Sequence, residues 1–428
     1  MTQKINSILK QVLENVKPSK EEYHEMNSAI ENFIKDIEEK IRTFKIDAEI
    51  FVGGSFAKRT VIKKDYYDVD IFLRFTKKYD DKEIPDITKK IIRGMKEVVI
   101  IHGSRDYFKI KLKENFYVEL IPVLMVKKPE EALNITDLSY SHVKYINKKI
   151  KSDKIKDEIM LAKAFCYANH CYGAESYIRG FSGYALELLV YYYKSFLKMI
   201  KTIDKAKKCE KIIIDIEKHF KNKSQILMDL NSSKMQAPII LIDPTHKNRN
   251  ALAALSDETF ERFKTAIRKF LKNPSIKSFE EKKIDLDKIK KDSSKKHFEF
   301  ILLKATTDRQ EGDIAGSKLL KFYNHLNNEI DKFFYTKNKG FNYNGKQSAR
   351  YFFVAKKKEE ILISGPLVKD KENVKKFEKI HKNYYTKNGR IYAKEIVKFS
   401  LKEFIKKWIR KYKDKIKNMA VVGLEILE

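Results

Sequence analysis

The sequence predicts an α+β protein of several domains. Two strand-like runs near the N-terminus, AEIFVGG and YDVDIFLRF, are separated by a short helical segment. From residue 140 to about 275, apolar residues recur at helical spacing. Beyond this region, strand-like runs such as HFEFILLKA and ARYFFVAKK follow and alternate with helical ones. A chain of 428 residues is long enough for about two to four domains.

The composition indicates a globular chain with a strongly basic surface. Hydrophobic residues make up 43% of it, and 90 Lys and Arg against 59 Asp and Glu give a formal net charge of +31. This excess, without a single basic tail, favours a polyanionic partner such as nucleic acid. AT-rich genomes also raise the lysine content, so a merely solvated lysine-rich surface remains the alternative.

The chain carries no sequence signal for export, a membrane segment or a zinc module. Its three cysteines, Cys166, Cys171 and Cys209, fit neither a disulfide framework nor a zinc module. The N-terminus lacks the apolar core of a signal peptide, and the most apolar run, FSGYALELLVYYYKSFLKMI, is interrupted by charges such as Glu187. We therefore expect a cytoplasmic protein.

The first 140 residues are predicted to fold as a small α/β unit. Ser19 and Glu22 form a capping box that opens a helix reaching about Phe44. The strand AEIFVGG, a short helix over SFAKRTV and the strand YDVDIFLRF follow. After a helix near residues 86–97, DYFKIKLKENFYVELIPVL is expected to form a β-hairpin that turns at residues 113–115.

The remaining chain is predicted to be helical first and mixed afterwards. The helical region closes at Asn273 and Pro274, and a lysine-rich connector leads to the strand HFEFILLKA. A helix and the strands ARYFFVAKK and EEILISGPLV follow, and the C-terminal end is helical again.

The stretch GGSFAKRTVIKKDYYDVDIFLRF combines features of a phosphate site and a metal site. Because successive side chains of a strand point to opposite faces, Asp68 and Asp70 share one face. Val69 and Ile71 share the other, so a buried strand would project two oxygen ligands that suit Mg²⁺. The two glycines allow the backbone to approach a phosphate, and Ser55 is expected to open a helix whose N-terminus faces it.

A third carboxylate is expected from FYVELIPVL. Glu119 lies out of phase with Val118 and Leu120, so it points away from the face that those two residues pack. The alternative is a surface strand with two solvated aspartates. The combination of GGS with DVD at this spacing argues against that alternative.

The GGS turn followed by the DVD strand resembles the nucleotidyltransferase superfamily of the DNA polymerase β type. The helical segment LAKAFCYANHCYGAESYIRGFSGYALELLVYYYKSF resembles, more narrowly, the archaeal-type (class I) CCA-adding enzymes, which are tRNA nucleotidyltransferases. NITDLSYSH, IDPTHKNRNALAALS and ILISGPLV agree with this likeness. The resemblance covers most of the chain and is weakest between about residues 276 and 345.

The resemblance implies a polymerase β-like head of mixed sheet and helices, a helical neck, and an α/β body and tail. The expected bounds are 1–140 for the catalytic head, 141–275 for the nucleotide-binding neck, 276–335 for the body, to which 395–428 returns, and 336–394 for the tRNA-binding tail.

The resemblance also implies site residues. Asp68, Asp70 and Glu119 would be catalytic and would hold Mg²⁺; the nucleotide would contact Gly54, Ser55, Lys58, His142, Lys163, Tyr172 and Arg249. From the residues alone, His142 falls in the first turn of a helix, and Lys163 sits at the edge of a buried helical stripe. An ordinary surface histidine and a solvated lysine are the respective alternatives.

One departure from the family pattern concerns Glu119. The family has aspartate in a DVVP-like strand, whereas this strand reads VELIP. Glutamate keeps the charge and adds a methylene, and we expect activity to survive because oxygen donors within reach are what Mg²⁺ requires. His102, in IHGSRDYF, is interpreted as a loop histidine rather than as a residue at the RNA end.

The C-terminal half is expected to bind RNA. FFYTKNKGFNYNGKQSARYFFV interleaves aromatic and basic residues, a pattern suited to stacking on bases and contacting phosphates, although core strands with solvated lysines explain it equally well. The expected function is template-independent addition of CCA to the acceptor end of tRNA, held also at its elbow, from CTP and ATP. A poly(A)-adding or oligoadenylate-type enzyme and an inactive RNA-binding protein are the alternatives. The oligomeric state stays open, with a homodimer among the options.

Overall fold

The computed structural model divides the chain into two compact units, Met1–Lys282 and Lys283–Glu428. The described residues are 2–103, 105–207, 210–281 and 284–428. They form helices and four sheets, so the predicted α+β class is confirmed. The finer division into head, neck, body and tail stays a prediction, and Cys209 lies outside the described residues. No described helix combines the length and the apolar character that a membrane span requires.

The first unit contains helices α1 to α10 and strands β1 to β8. The helices are α1 (Thr2–Val16), α2 (Lys20–Thr43), α3 (Gly54–Ala57), α4 (Ile84–Ile91), α5 (Ser139–Lys149), α6 (Asp153–Ala168), α7 (Gly183–Tyr193), α8 (Phe196–Lys205), α9 (Lys223–Asp229) and α10 (Asp257–Lys272). The strands are β1 (Ala48–Val52), β2 (Tyr67–Phe75), β3 (Val98–Ile101), β4 (Tyr107–Lys113), β5 (Phe116–Leu124), β6 (Ile212–Asp215), β7 (Ile239–Asp243) and β8 (His246–Asn250).

Helix α2 begins where the sequence predicts. The Ser19 hydroxyl accepts the N–H of Glu22, and the Glu22 carboxylate accepts the N–H of Ser19, which completes the predicted capping box. Apolar residues at helical spacing, from Met26 to Ile41, form the buried stripe of α2. This stripe packs on one face of the first sheet.

The first sheet has the strand order β1-β2-β5-β4-β3, in which β2 and β5 are parallel and the other neighbours antiparallel. The predicted hairpin of β4 and β5 is confirmed. The helix predicted near 86–97 is α4, which ends at Ile91, because the β-branched run VVII pairs with β4 as strand β3.

The region predicted to be helical between 140 and 275 also contains a three-stranded sheet, β6-β7-β8, so the purely helical prediction is wrong there. Ile212 pairs with Ile239 in the parallel β6–β7 ladder, and β7 is buried along its whole length. The runs KIIIDI and PIILID are continuous apolar segments that lack helical spacing, as is typical of buried strands.

The second unit is built from two sheets with helices α11 to α15. The helices are α11 (Leu286–Lys295), α12 (Asp313–Ile330), α13 (Lys371–Ile380), α14 (Leu401–Lys411) and α15 (Lys413–Asn418). The strands are β9 (Glu299–Thr306), β10 (Phe334–Tyr343), β11 (Ser348–Lys357), β12 (Glu360–Leu367), β13 (Tyr384–Lys387), β14 (Arg390–Ile396) and β15 (Gly423–Ile426). Their sheet orders are β10-β11-β9-β15 and β12-β14-β13, so the C-terminal strand β15 pairs with β9.

Candidate active site

Three carboxylates come from the parallel pair of strands β2 and β5. In the register of this pair Asp70 lies directly opposite Glu119, and Asp68 lies opposite Tyr117. The intervening residues of both strands, Val69 and Val118 among them, are buried in the core beneath α2. The sequence therefore predicted correctly which face of each strand is buried and which one carries the acidic side chains.

The lysines near these carboxylates do not outweigh burial and the repulsion between the carboxylates. Burial and the charges of Asp70 and Asp68 raise the pKa of Glu119 to about 7, and the charges of Lys109 and Lys64 offset this only in part. Burial and the charge of Asp68 likewise raise the pKa of Asp70 to about 6. The nearest ion-pair partner of Glu119 is Lys109, whose Nζ lies 3.9 Å from Glu119 Oε1. A divalent cation would relieve this repulsion.

The carboxylate oxygens suit a hard cation such as Mg²⁺. They do not by themselves form a complete coordination shell. Across the described ranges 2–103, 105–207, 210–281 and 284–428, no three or more His, Cys, Asp or Glu side chains are grouped so that they could hold a metal ion. Mg²⁺ at phosphate-transferring sites commonly takes one or two carboxylates and completes its shell with water and substrate phosphate oxygens. The assignment of the three residues as metal ligands stays a prediction.

The glycine turn brings the backbone against Asp70. Gly54 has a φ of +60°, and a Cβ on it would lie 1.7 Å from a carboxylate oxygen of Asp70. The N–H of Gly53 donates to the carbonyl oxygen of Asp70 at 2.8 Å. Helix α3 begins at Gly54, one residue before the predicted Ser55, and it has only four residues. The field of a long helix is therefore not available to a phosphate at this turn.

The predicted nucleotide lysines meet at a residue that we did not predict. Glu187 on α7 is fully buried, and its Oε2 accepts from Lys58 Nζ at 2.6 Å. Its Oε1 accepts from Lys163 Nζ at 2.9 Å and from the hydroxyl of Thr60 at 3.0 Å. Lys163 is 2% exposed, so the alternative of a solvated lysine is wrong. We name Lys58, Thr60, Lys163 and Glu187 the lysine cluster.

The charges of the lysine cluster satisfy one another. Although burial raises the pKa of Glu187, the charges of Lys163 and Lys58 lower it to about 2. Burial and the charge of Lys58 lower the pKa of Lys163 to about 8, against the opposing effect of Glu187. The charges of both lysines also lower the pKa of Asp70, which places the lysine cluster within electrostatic reach of the carboxylates. A charged residue inside the most apolar run of the chain was the sequence signal for Glu187.

His142 and Arg249 are brought together by Asp243, which is fully buried at the end of β7. Asp243 Oδ2 lies 3.0 Å from His142 Nε2 and accepts from Arg249 Nη1 at 2.5 Å. Its Oδ1 accepts from the hydroxyl of Tyr184 at 3.0 Å and from the N–H of Thr245 at 2.9 Å. Against the effect of burial, hydrogen bonding to His142 and the charges of His142 and Arg249 hold the pKa of Asp243 well below its usual range. We name these residues the aspartate cluster.

The imidazole of His142 is fixed in this cluster. Its ring stacks on Tyr184, with ring centroids 3.9 Å apart. Burial lowers the pKa of His142, while hydrogen bonding to Asp243 opposes that effect. His102, in contrast, lies exposed 2.9 Å from Asp106.

Tyr172 packs against the start of α7. A Cβ on Gly183 would lie 2.9 Å from the hydroxyl of Tyr172 and 3.7 Å from Cε of Lys163, so glycine is required for this close packing. Burial and the charge of Glu187 raise the pKa of Tyr172, so its hydroxyl stays protonated at neutral pH. Tyr172 is therefore an O–H donor beside the lysine cluster.

Comparison with known proteins identifies the relatives of this chain. A family profile described as tRNA nucleotidyltransferase, second domain, matches residues 157–280. The CCA-adding enzyme of Nanoarchaeum equitans is 38% identical over 244 residues, which are 57% of this chain and 59% of that enzyme. The alignment thus spans about three fifths of that relative. The CCA-adding enzyme of Methanocaldococcus jannaschii is 29% identical over 402 residues, 91% of this chain and 87% of that enzyme.

A solved structure shares the fold of about two thirds of this chain. A structure of Cid1, a protein with RNA terminal uridylyl transferase activity, superposes with a TM-score of 0.51 at 13% identity. It covers 66% of this chain and 100% of the Cid1 chain, and it shows a shared polymerase β-like nucleotidyltransferase fold. The matched second domain and the aligned archaeal enzymes show that this chain is similar to the archaeal-type tRNA nucleotidyltransferases, the family of the CCA-adding enzymes.

Proposed function

We propose that this protein adds CCA to the 3′ end of tRNA in the cytoplasm, without a template, from CTP and ATP, and releases pyrophosphate. The observation that carries the proposal is the register of β2 and β5, which sets Asp70 opposite Glu119 with the Gly53–Gly54 turn packed against Asp70. The named CCA-adding relatives support the choice of tRNA and of the two nucleotides.

The catalytic carboxylates of the proposal are Asp68, Asp70 and Glu119. They would hold two Mg²⁺, which when bound lower the pKa of the RNA 3′-hydroxyl and neutralise charge on the leaving pyrophosphate. The raised pKa values of Asp70 and Glu119 mean that these side chains must lose protons before they bind a cation. Their contribution is to position charge rather than to transfer protons.

The lysine cluster is proposed to receive the triphosphate. Lys58 and Lys163 stand within electrostatic reach of Asp70, so phosphates bound beside the carboxylates would meet both ammonium groups. Charge-assisted hydrogen bonds of this kind are among the strongest polar contacts. Tyr172 adds a protonated hydroxyl to the same side, and Ser55 lies next to the glycine turn.

The aspartate cluster is proposed to act at the base and at the end of the RNA. Arg249 is held through Asp243, and His142 is fixed against Tyr184, so both side chains are preorganised. A rigid pocket of protein alone presents one hydrogen-bond pattern and could not select cytosine twice and adenine once. Selection therefore needs a pocket that the growing RNA end completes, with Arg249 as the bridge.

The second unit is proposed to bind the body of the tRNA. In the proposed division, the body covers 276–335 and 395–428, and the tail covers 336–394 and reaches the elbow. Exposed aromatic residues such as Tyr335 and Tyr384 stand among lysines in this unit, for example with Lys358 Nζ 5.1 Å from the ring centroid of Tyr335. Such pairs suit contacts to RNA bases and phosphates.

The proposal is tested with tRNA that ends at the discriminator base. Given CTP and ATP, this tRNA should gain CCA; with CTP alone, addition should stop after CC; with GTP or UTP, little should be added. The Asp70→Asn variant is the matched control and should add nothing. Long A tails on arbitrary RNA would favour a poly(A)-adding enzyme, and no incorporation into any RNA would favour an inactive RNA-binding protein.

Glu119 is tested by two variants with opposite expectations. Glu119→Asp keeps the charge and should retain measurable addition, because the neighbouring strand sets the carboxylate near Asp70. Glu119→Gln keeps the length but loses the charge, and addition should fall to nearly nothing. Full activity of the Gln variant would mean that the third carboxylate of the site lies elsewhere.

A further inference from the structure

A group of aromatic rings and lysines, partly exposed and partly half-buried, borders the carboxylates. Tyr66 is 43% exposed and packs edge-on against Tyr117, with ring centroids 5.9 Å apart. Lys109 Nζ lies over both rings, 5.0 Å from the centroid of Tyr66 and 4.9 Å from that of Tyr117. On the other flank, Lys64 Nζ lies 4.8 Å from the ring centroid of Tyr167, which is also exposed. We name these five residues the rim cluster.

The rim cluster lies beside the catalytic face. Tyr117 is directly opposite Asp68, and Lys109 is directly opposite Glu119, in the same sheet. Tyr66 lies two positions before Asp68 in the chain, and its ring packs against that of Tyr117. The rim cluster therefore borders Asp68 and Glu119 along the strand pair, whereas Lys58 and Lys163 are buried against Glu187.

The lysines near the acidic face have two kinds of surroundings, which suit two different anionic ligands. The lysine cluster already suits the compact charge of a triphosphate. The rim cluster differs, because its cations are interleaved with aromatic rings that water can reach, and rings of this kind gain stability by stacking on unpaired bases. The carboxylates repel an RNA end, so cations at the rim are needed to bring its phosphates near.

We propose that the rim cluster binds the unpaired 3′-terminal nucleotide of the RNA acceptor strand: the ring of Tyr66 stacks on the terminal base, and Lys109 and Lys64 contact the adjoining phosphates. The proposal rests on the nucleotidyltransferase function proposed above and names the residues that deliver the 3′-hydroxyl to the carboxylates. Tyr117 supports the ring of Tyr66 from its edge.

The experiment measures binding in EDTA, so that no metal and no turnover are needed. The probe is a short single-stranded RNA ending in CC with a terminal 2-aminopurine, whose fluorescence falls when it stacks on a ring. The full-length wild-type protein should quench the 3′-terminal probe and leave the same probe at the 5′ end bright. Tyr66→Phe should behave as wild type, and Tyr66→Ala should abolish the quenching and weaken binding about tenfold.

The matched control is Tyr192→Ala, because Tyr192 is 45% exposed in the same unit and lies on α7, outside the rim cluster. It should leave both quenching and affinity unchanged. Lys109→Ala should reduce the slope of log affinity against log salt by about 0.7, the value for one lost contact to single-stranded nucleic acid. A thermal unfolding midpoint equal to that of the wild type shows that each variant is folded.

Different results would contradict the role of the rim cluster and the proposed CCA addition. If the wild type adds CCA but Tyr66→Ala quenches and binds as the wild type does, the rim assignment is overturned and the proposed function stands. If the wild type adds no nucleotide to any RNA, the proposed function is overturned itself. In the addition assay, Tyr66→Ala should raise KM for RNA about tenfold with KM for CTP unchanged; the reverse split would place Tyr66 at the nucleotide instead.

Discussion

The first unit holds two kinds of acidic centre that differ in how their charge is balanced. On the open face of β2 and β5, burial and neighbouring carboxylates outweigh the nearby lysines and raise the pKa of Asp70 to about 6 and that of Glu119 to about 7. In the interior, Glu187 accepts from two lysines, and its pKa is lowered to about 2. The two centres therefore differ more clearly in the pKa values of their carboxyl groups than in the burial of these groups.

This difference indicates which carboxylates are expected to bind a cation. Glu187 and Asp243 have each received their hydrogen bonds and counter-charges from the chain itself, so they hold other side chains in place. Asp70 and Glu119 carry a charge that the chain does not neutralise, which is unfavourable until a cation arrives. Perturbation of a pKa upward by like charges is typical of functional sites.

The largest expected effect separates activity from stability at the open face. Asp70→Asn should lower the rate of nucleotide addition by about a thousandfold or more, because a ligand for the cation is lost. The free energy of unfolding should stay the same or rise, because repulsion from Asp68 is removed. Single-turnover addition to tRNA and urea unfolding measure the two quantities. A clear loss of stability would contradict the view that this carboxylate is unbalanced.

The interior centre should respond in the opposite way. Glu187→Gln removes the charge that neutralises Lys58 and Lys163, and breaking a buried ion pair from one side costs about 3–5 kcal/mol. Urea unfolding at neutral pH should show this loss. The double variant Glu187→Gln with Lys163→Met should recover part of it, because one of the uncompensated charges is gone. Unchanged stability in the single variant would mean that Glu187 is not a structural anchor.

Local patterns in the sequence predicted the open face well. The alternation of apolar and acidic residues along β2 and β5 predicted which face of each strand is buried. The capping box at Ser19 predicted the start of α2. These features depend on neighbours within a few residues, which a pattern of period two or a helix cap records. The sheet β6-β7-β8 was missed because short apolar runs do not distinguish a strand from a buried helix.

Local sequence patterns could not predict the lysine cluster and the aspartate cluster. Glu187 and Lys58 are 129 positions apart in the sequence, and His142 and Asp243 are 101 apart. No spacing rule relates such residues, so a solvated Lys163 remained an alternative although this side chain is buried. The usable signal was chemical: an acidic residue in an apolar helix needs a partner of opposite charge, and lysine is the commonest cation of this chain.

The pH dependence of stability should have opposite signs at the two centres. Without metal, Glu119 has a pKa raised from 4.5 to about 7, so ionising it destabilises the folded protein as pH rises through this range. Glu119→Gln should therefore match the wild type at about pH 4, below the unfolded pKa, and be more stable at pH 8. Glu187, with a pKa lowered from 4.5 to about 2, adds stability above pH 4.5 that is lost as pH falls towards 2.

The measurement is urea unfolding in EDTA over a series of pH values, with each variant compared with the wild type at the same pH. The penalty of Glu187→Gln should be full above pH 5 and shrink as pH falls below 4.5. Saturating Mg²⁺ should remove the advantage of Glu119→Gln at pH 8, because the cation then stabilises only the wild type. An advantage that grows as the pH falls would contradict the raised pKa of Glu119.

The smallest effect is expected where one carboxylate has many donors. Tyr184→Phe removes the hydroxyl that donates to Asp243 Oδ1 but keeps the ring that stacks on His142. Asp243 still accepts from Arg249 and from Thr245, so no buried acceptor is orphaned, and the loss should be about 1 kcal/mol in urea unfolding. Affinity for CTP should change less than about twofold, because Arg249 remains anchored. A loss as large as that of Glu187→Gln would show that the hydroxyl of Tyr184, rather than the full set of donors, keeps Asp243 in place.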